Sequence, residues 1–269
     1  MGMIGLLSDI HANYDALQVA LRELAGAGTE RYIVAGDLVG YGPHPNECVA
    51  AVAGLPGLVA VAGNHELLVA GSLADTGLPA FVRSTIAWTR SILSADSRAF
   101  IGALPKAARL DGIAITHGAI GHPSSYVRYG HQARAQLRLL GREEPDAGLL
   151  VLGHTHIPWV YHEYRGSTPL GSGAWIDLDR SARQLVNPGS VGQSRVRERA
   201  PRARFAQLDP VAWRVRHWQA EYDHLATRLA LRANGQPEEL VHLPPSWIED
   251  ALLPLRERLS RLRHGDLPT

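Results

Sequence analysis

Five short apolar runs in this chain end at polar residues whose side chains are able to bind a metal ion. The runs are residues 3–7, 32–35, 58–62, 113–116 and 149–152. The polar residues that follow them are Asp9 and His11, Asp37, Asn64 and His65, His117, and His154 and His156. A single residue of this kind is more often a helix or turn cap, but the same chemistry after five runs is hard to obtain by chance. This repeated pattern constrains the fold more than any other feature of the sequence.

The spacing of the apolar residues predicts helices between the first of these runs. Asn13 is a typical N-cap residue, and apolar residues recur at helical spacing over residues 14–24. A second, shorter helix is predicted over residues 46–53. Such a β-α-β-α-β order is typical of an α/β fold with parallel strands. Because ligands bind at the carboxyl ends of parallel strands, we expect the polar residues to meet at one edge of the sheet.

The rest of the chain divides into a helical stretch, a β-rich stretch and a helical tail. Helices are predicted over residues 79–93, 96–104 and 134–140. Short runs between residues 159 and 218 predict antiparallel strands separated by turns. The last predicted helices cover residues 222–231 and 245–262, and Pro254 is expected to kink or split the second. We therefore expect a main domain over residues 1–220 and a helical extension over residues 221–269 that packs on it, with a dimer helix or a cap over the site as alternatives.

The residues after the five runs form a set of metal ligands that is rich in oxygen and nitrogen. The set includes two aspartates, one asparagine and up to five histidines, and the only cysteine, Cys48, is not part of it. Imidazole and carboxylate ligands favour Mn, Fe, Zn, Co or Ni over Ca or Mg. Seven candidate ligands are too many for one tetrahedral ion and match a pair of ions about 3.5–4 Å apart. Gly36, Gly63, Gly118 and Gly153 border the set, and glycine lets the backbone approach such a site closely.

The composition limits the partners that we expect. A net charge of +1 gives no overall field that would attract DNA or an anionic membrane, so neither nucleic acid nor a membrane is expected as a partner. A single cysteine excludes an intramolecular disulfide. No signal peptide or membrane-spanning run is recognisable, because Asp9 comes early and the longest uncharged run, residues 48–65, is interrupted by glycine and proline. We expect a cytoplasmic protein and leave its oligomeric state open.

The polar residues lie in ordered blocks that resemble those of the calcineurin-like metallophosphoesterase superfamily. The blocks are Asp9-Ile10-His11, Gly36-Asp37, Gly63-Asn64-His65-Glu66, Thr116-His117-Gly118 and Gly153-His154-Thr155-His156. The segment Asn187-Pro188-Gly189-Ser190-Val191-Gly192 further resembles the small bacterial phosphodiesterase branch, which includes diadenosine tetraphosphatase-like proteins. The resemblance implies an α/β fold of four layers, αββα, in which two mixed sheets pack face to face inside outer helices. It also implies that the main domain is the catalytic one and that the helical tail is an addition to it.

The resemblance implies a role for each residue of the set. The ligands that it implies for one ion are Asp9, His11 and His156. Those for the second ion are Asn64, His117 and His154, and Asp37 would bridge both. His65 would not bind metal, and it would instead stabilise the transition state or protonate the leaving oxygen. The two transition-metal ions, with manganese as the expected one, would supply a bridging hydroxide that attacks a phosphodiester or a nucleotide (poly)phosphate.

One departure from the family's pattern bears on the substrate. Protein-phosphatase relatives carry Gly-Asp-x-x-Asp-Arg-Gly at the second block, whereas this chain has Gly40 and Tyr41 in place of the second Asp and the Arg. A phosphomonoester dianion would lose its bidentate Arg clamp, so a diester or a nucleotide polyphosphate is favoured. The change also leaves His65 without an evident orienting partner. A phosphomonoesterase resembling the protein phosphatases and a scaffold without catalysis remain the alternatives.

Residues outside the blocks are candidates for contact with a small phosphorylated substrate. These candidates are Tyr41, His44, His122 and Arg128. The segment around His122 and Arg128 is rich in glycine and also contains Tyr126, so it is either a mobile lid that stacks a base or a plain surface loop. Arginines at positions 195, 197, 199, 202 and 204 follow the Asn-Pro-Gly-Ser turn. We favour a solvated loop for this cluster over an arm that contacts phosphate.

Overall fold

Two six-stranded β-sheets form the centre of the structure, a computed structural model that describes residues 2–171, 173–196, 198 and 200–241. The strands in chain order are β1 (Met3–Leu7), β2 (Thr29–Val34), β3 (Val59–Ala60), β4 (Ala107–Leu110), β5 (Ile113–Thr116), β6 (Leu149–Val151), β7 (Trp159–His162), β8 (Gly166–Thr168), β9 (Trp175–Asp177), β10 (Gln184–Asn187), β11 (Arg202–Asp209) and β12 (Arg214–Glu221). The helices are α1 (Tyr14–Gly26), α2 (Pro45–Ala53), α3 (Asn64–Val69), α4 (Ala80–Ile92), α5 (Ala95–Ala103), α6 (Gly130–Glu143) and α7 (His224–Ala233), followed by a 3-10 turn at Glu238–Leu240.

Both sheets are mixed, with a parallel half and an antiparallel half. The first sheet has the order β3-β2-β1-β11-β12-β9, in which β1, β2 and β3 are parallel and the other pairs are antiparallel. The second has the order β4-β5-β6-β10-β7-β8, in which β5, β6 and β10 are parallel. The parallel strands β1, β2, β3, β5 and β6 are those that precede the polar residues. The second sheet has one further parallel strand, β10, which does not precede any of them.

Apolar side chains fill the spaces between four layers. Ile33 of β2 and Val151 of β6 belong to the cluster that lies between the two sheets. Side chains of α1, α2 and α5, such as Leu17, pack on the outer face of the first sheet. Leu137 of α6 packs with Leu150 on the outer face of the second sheet. The four-layer αββα architecture with mixed sheets is therefore confirmed.

Most predicted elements are present, and their bounds differ where side chains provide caps. β1 and β5 have the predicted bounds. The Asn13 side chain accepts a hydrogen bond from the Ala16 amide at 3.2 Å and caps α1, as predicted. Helix α6 begins four residues before the predicted start, because the side chain of Gln132 accepts hydrogen bonds from the amides of Arg128 and Tyr129.

Two strand predictions need correction. The third run was expected to be a strand over residues 58–62, but only Val59–Ala60 is one, since the Ala62 amide donates to the Pro105 carbonyl at 2.7 Å instead of a neighbouring strand. The strands after residue 159 were expected to be antiparallel throughout. This prediction is wrong for β10, which is antiparallel to β7 but parallel to β6. The short elements α3, β4 and β8 were not predicted.

The described part of the tail packs against the first helix of the chain. Asp223 caps α7 by accepting from the Ala226 amide, and the Thr227 hydroxyl donates to the Asp15 carboxylate of α1 at 2.6 Å. The helix predicted over residues 245–262 lies outside the described residues. The division at residue 220 into a domain and an extension stays a prediction. Within the described part of the chain, every helix is too short or too polar to cross a membrane.

Candidate metal centre

The residues that follow the five runs converge on one buried cluster. They project from the ends of β1, β2, β5 and β6 and from the start of α3. Three overlapping groups have their ligand atoms within 4.8 Å of one another, and these are Asp9, His11 and His156; His11, Asp37 and His65; and Asp37, His117 and His154. Asp9 and His156, which are 147 positions apart in the sequence, thus share one site, as the strand-end pattern predicts.

Asp37 occupies the middle of the cluster. Its Oδ2 atom lies 3.1 Å from His117 Nε2 and 3.7 Å from His11 Nε2, so it reaches both outer groups. At one end, Asp9 Oδ1 lies 3.2 Å from His156 Nε2. At the other end, Asn64 Oδ1 lies 3.1 Å from His117 Nε2. The arrangement therefore has two ends that share one carboxylate.

Backbone carbonyl groups fix which ring nitrogen of each histidine faces the cluster. The acceptors are the carbonyl oxygens of Val39 for His11 Nδ1 (3.3 Å), Ala35 for His117 Nδ1 (2.7 Å), Gln193 for His156 Nδ1 (2.8 Å) and Ser124 for His154 Nε2 (3.1 Å). A ring nitrogen that donates its hydrogen to a carbonyl leaves the other nitrogen with a free lone pair. The lone pairs of these four rings then point toward the cluster, which is the usual arrangement around a metal ion.

The backbone of the cluster is strained at several of these residues. Asp9, His11, Asp37, His154 and His156 all have φ between 48° and 66°, in the left-handed region. This region is uncommon for residues that carry a Cβ atom and costs about 1–3 kcal/mol each. Hydrogen bonds between the loops hold the strained backbone, since the Asp9 amide donates to the Gly36 carbonyl and the His11 amide to the Asp37 carbonyl. Strain of this kind clusters at functional sites.

Glu66 ties two of the loops together, and sequence reasoning gave it no role. Its buried carboxylate accepts hydrogen bonds from the amides of Asp37 (2.7 Å), Gly63 (2.8 Å) and Val39 (3.1 Å). Burial, together with the nearby Asp37 carboxylate, raises the pKa of Glu66 to about 7, and the hydrogen bonds from the backbone act in the opposite direction. The signal for this role was available, because a Glu three residues after an N-cap position is the capping-box pattern.

Asn187 supports the loop that carries His154 and His156. Its side-chain amide donates to the Gly153 carbonyl at 2.8 Å and to the Thr155 hydroxyl at 3.0 Å. The segment that resembles the phosphodiesterase branch thus acts on the site through the backbone of a neighbouring loop. Sequence reasoning identified the segment but not this contact, because β10 and the loop meet only in the folded sheet.

Glycines permit the close packing of these loops, as the sequence indicates. A Cβ atom at position 63 would lie 2.0 Å from Asp37 Oδ1, and one at position 153 would lie 1.7 Å from Ser8 Oγ. At Gly36, with φ +85°, a Cβ atom would lie 2.8 Å from His117 Nδ1. Any larger residue at these positions would displace a side chain of the cluster.

The ring of His65 fills the space beside Gly40. A Cβ atom at position 40 would lie 2.1 Å from His65 Nδ1, so the orienting Asp of the phosphatase pattern has no room here. The ring instead contacts the rings of Tyr41 (centroids 4.6 Å apart) and His11 (4.7 Å), and its Nε2 lies 3.9 Å from Asp37 Oδ2. His65 is therefore oriented by packing between the rings of Tyr41 and His11. In the phosphatase pattern, the carboxylate of the second Asp has this orienting role.

The charges in the cluster favour a cation. Burial would raise the pKa of Asp9, but His156 and His117 lower it below its usual range, so this carboxylate stays ionised. Asp9 Oδ1 is buried and receives no well-directed hydrogen bond. Ionised oxygens and imidazole nitrogens that face one another fit a transition-metal ion.

The structure brings two of the four candidate substrate contacts to the cluster. Tyr41 is buried, and its ring contacts His11 and His65. Arg128 stacks on Tyr126, whose ring in turn stacks on His154. Within the described ranges, no side-chain hydrogen bond, ion pair or ring contact joins His44 or His122 to a predicted ligand. His44 lies at the start of α2, 4.0 Å from Glu47.

The arginines after the Asn-Pro-Gly-Ser turn have different environments. Arg204 is buried and makes a bidentate ion pair with Glu198, so it supports the loop. Arg202 pairs with Glu221 at the surface. Arg195 is exposed and donates to the Tyr126 hydroxyl at 3.2 Å. Positions 197 and 199 lie outside the described residues. The solvated-loop interpretation thus fits Arg202, whereas Arg195 reaches the rim of the cluster.

Comparisons with known proteins agree with the geometry. The sequence model described as the calcineurin-like phosphoesterase superfamily domain matches residues 3–209. The chain is similar to an uncharacterized protein of Methanocaldococcus jannaschii, with 29% identity over 242 residues, which cover 88% of this chain and 95% of the relative.

Two solved structures have a similar fold. The crystal structure of a metallophosphoesterase from Sphaerobacter thermophilus is 31% identical, with a TM-score of 0.76, and the match covers 89% of this chain and 96% of that one. A hypothetical protein from Pyrococcus horikoshii is 23% identical, with a TM-score of 0.71 and the same coverage.

Proposed function

The chain belongs to the calcineurin-like phosphoesterase superfamily, and from this premise we propose that it hydrolyses a phosphodiester or a nucleotide (poly)phosphate with two transition-metal ions. The observation that carries the proposal is the position of Asp37, whose Oδ2 atom lies between His11 of one ligand group (3.7 Å) and His117 of the other (3.1 Å). A scaffold without catalysis would have no need for buried carboxylates and strained backbone at all of these strand ends.

The proposed ligands divide between the two ends of the cluster. Asp9, His11 and His156 would hold one ion, and Asn64, His117 and His154 would hold the other, with Asp37 shared. Two such ions lower the pKa of water and neutralise charge on phosphoryl oxygens. The mixed oxygen and nitrogen ligands suit manganese and would also accept Fe, Zn, Co or Ni.

We propose that His65 is the general acid that donates a proton to the leaving oxygen. Its Nδ1 is buried and points toward Gly40, so Nε2, 3.9 Å from Asp37 Oδ2, is the nitrogen that faces the cluster. Burial lowers the pKa of His65, while the Asp37 carboxylate acts in the opposite direction. The effect of burial is the larger one, so the pKa of His65 lies below its ordinary value, and the ring gives up its proton more readily than a free imidazole does.

The residues beside His65 favour a diester over a monoester at the reacting phosphorus. Tyr41 stands where phosphatase relatives have an arginine, and its hydroxyl provides a hydrogen bond but no positive charge. Burial raises the pKa of Tyr41 to about 12, so the hydroxyl stays protonated near neutral pH. A phosphomonoester dianion would lack the bidentate arginine contact that this position supplies in phosphatase relatives, whereas a diester carries only one negative charge and depends less on such a contact.

An assay of matched model esters tests the proposal. Metal-stripped protein is supplied with bis-p-nitrophenyl phosphate or p-nitrophenyl phosphate, with and without Mn²⁺, and Asp37→Asn serves as the inactive control. Turnover that depends on Mn²⁺ and favours the diester is expected. A preference for the monoester would contradict the diester assignment. Absence of both turnover and bound metal would favour the scaffold.

The proposed partner is a small phosphorylated molecule. The rim of the cluster is open to solvent at Arg128 and Arg195, which leaves access for such a substrate. The cytoplasmic location stays a prediction from the sequence.

A further inference from the structure

The ring of Tyr126 holds the guanidinium group of Arg128 next to the candidate metal centre. One face of the ring stacks on His154, with the centroids 3.9 Å apart and the planes 11° from parallel. The guanidinium carbon of Arg128 lies 3.8 Å from the same ring centroid. Two groups at this distance cannot share one face, so Arg128 covers the face opposite His154. This cation–π contact holds the guanidinium group at a fixed place.

Arg195 brings a second positive charge to the same ring from another loop. Its Nη1 atom donates to the Tyr126 hydroxyl at 3.2 Å. The positive charge of Arg195 also lowers the pKa of the Tyr41 hydroxyl, whereas burial and the Asp37 carboxylate raise it. Arg195 therefore lies at the rim of the cluster, beside Tyr126.

Neither arginine is neutralised by a carboxylate in the part of the chain that the structure describes. Both side chains are exposed, and no ion pair joins them to a described Asp or Glu. The neighbouring arginines Arg202 and Arg204 each have a carboxylate partner. Two guanidinium groups held in place without a counter-ion are well suited to bind an anion.

The contacts of Tyr126 also bear on whether its loop stacks a base of the substrate, as one interpretation of the sequence suggests. A base would need a free ring face, but His154 and Arg128 cover both faces of Tyr126. The loop therefore does not offer this tyrosine as a platform for a base. What it offers toward solvent is positive charge.

We propose that Arg128 and Arg195, organised by Tyr126, bind a second phosphate group of the substrate, adjacent to the one that is hydrolysed. This inference rests on the proposed function. It assigns the substrate to the class with at least two linked phosphates, such as a nucleoside diphosphate ester, rather than to isolated phosphodiesters.

The positions of the two arginines explain why the anion is a neighbouring phosphate. The proposed reacting phosphate lies at the cluster, where Tyr41 provides no charge. The Tyr126 ring separates Arg128 from His154. The guanidinium group of Arg128 therefore cannot reach a phosphate bound at the metal ion that His154 would hold. A linked phosphate that extends past His154 toward solvent would meet both arginines.

Two esters that differ by one phosphate test the inference. They are the p-nitrophenyl esters of thymidine 5′-monophosphate and of thymidine 5′-diphosphate, esterified at the terminal phosphate. In both, water adds to the terminal phosphorus, the bond to the aryl oxygen breaks, and p-nitrophenolate leaves with thymidine mono- or diphosphate as the other product. Only the second ester carries an additional phosphate.

The variants are Arg128→Gln and Arg195→Gln, with Arg22→Gln on α1 as the matched control, because it also removes an exposed guanidinium group. Each test variant is expected to raise the KM of the diphosphate ester about 10–100-fold, as for the loss of a charge-assisted hydrogen bond, and that of the monophosphate ester less than threefold. Equal effects on both esters, or none on either, would overturn the inference.

Binding provides a readout that does not depend on turnover. Calorimetry with the Mn²⁺-loaded protein compares thymidine monophosphate with the α,β-methylene analogue of the diphosphate. Tighter binding of the analogue, lost in Arg195→Gln, supports the inference even if neither ester is hydrolysed, in which case the proposed function alone fails. Equal affinity for both ligands in the wild type would overturn the inference even if both esters are hydrolysed.

Discussion

The metal cluster and the rim formed by Tyr126, Arg128 and Arg195 lie side by side but are built in different ways. In the cluster, the proposed ligand side chains other than Asn64 are buried, and backbone carbonyl groups fix the histidine rings. In the rim, exposed side chains are held by one stacked ring and one hydrogen bond. The cluster belongs to strand ends, whereas the rim belongs to two loops.

This difference suggests a division of roles, in which the cluster carries out the reaction and the rim selects the substrate. Residues at strand ends are positioned by the sheets and tolerate little change, since even a methyl group at Gly63 or Gly153 would collide with the cluster. Loop residues can change without disturbing the sheets, and loops frequently carry specificity. We therefore expect substitutions in the cluster to abolish turnover and substitutions in the rim to alter selectivity.

The largest effect is expected for Asp37→Asn. One carboxylate serves both ligand groups, so its loss is expected to reduce kcat by about 10³-fold or more and to lower the metal content measured by mass spectrometry. Asp96→Asn on α5, which removes an exposed carboxylate, is the matched control. Full activity with full metal content in Asp37→Asn would contradict the shared position of this residue.

The next largest effect is expected for His65→Ala. Loss of a general acid is expected to reduce kcat about 10²–10⁴-fold while the metal content stays at the wild-type level. A leaving group of low pKa, such as p-nitrophenolate, needs less protonation than an alkoxide, so the loss is expected to be greater with an alkyl ester. Loss of metal in this variant would make His65 a ligand.

A smaller effect is expected for Gly40→Ala. The new methyl group would displace the His65 ring, so kcat is expected to fall about 10–100-fold, as for other small misplacements of reacting groups. Gly71→Ala is a close control, because Gly71 also has a positive φ, +76°, but no heavy atom lies within 4 Å of the added Cβ. Equal kcat values in the two variants would show that the position of His65 is unimportant.

The smallest effect is expected behind the cluster, at His217. Its Nε2 atom donates to the Asn187 carbonyl at 2.9 Å, and burial lowers the pKa of His217 to about 4. Above pH 6.5 this residue is neutral in both the folded and unfolded states, whereas below it the unfolded chain binds the proton first. Stability is therefore lost as the pH falls from about 6.5 toward 4.

Urea unfolding at pH 7 and pH 5 measures this contribution. The wild type is expected to lose about 1–2 kcal/mol more unfolding free energy between these values than His217→Gln, in which the amide still donates to the Asn187 carbonyl. The same loss in both proteins would contradict the depressed pKa.

The sheet edges could be predicted from the sequence because their signal is local. Each apolar run is short and ends at a polar residue, so the position of Asp37 or His117 follows from the strand before it. The parallel arrangement then places these ends together without knowledge of any contact. The strands β4 and β8 were missed, because their sequences, Ala-Ala-Arg-Leu and Gly-Ser-Thr, do not form continuous apolar runs like those of β5 and β6.

The rim could not be predicted in the same way. Tyr126 and Arg195 are 69 residues apart, and both lie in loops with no periodic pattern. The interpretation of the arginine cluster as a solvated loop followed from its charge alone, and charge does not distinguish Arg195 from the paired Arg204. The contact of Asn187 with the Gly153 carbonyl was missed for the same reason, since it links two strands that are neighbours only in the folded sheet.

The central claim is that the cluster holds two metal ions that share Asp37. Anomalous scattering from crystals grown with Mn²⁺ tests it most directly. We expect two manganese peaks about 3.5–4 Å apart, one beside Asp9, His11 and His156 and one beside Asn64, His117 and His154. A single peak, or none at saturating Mn²⁺, would contradict the account.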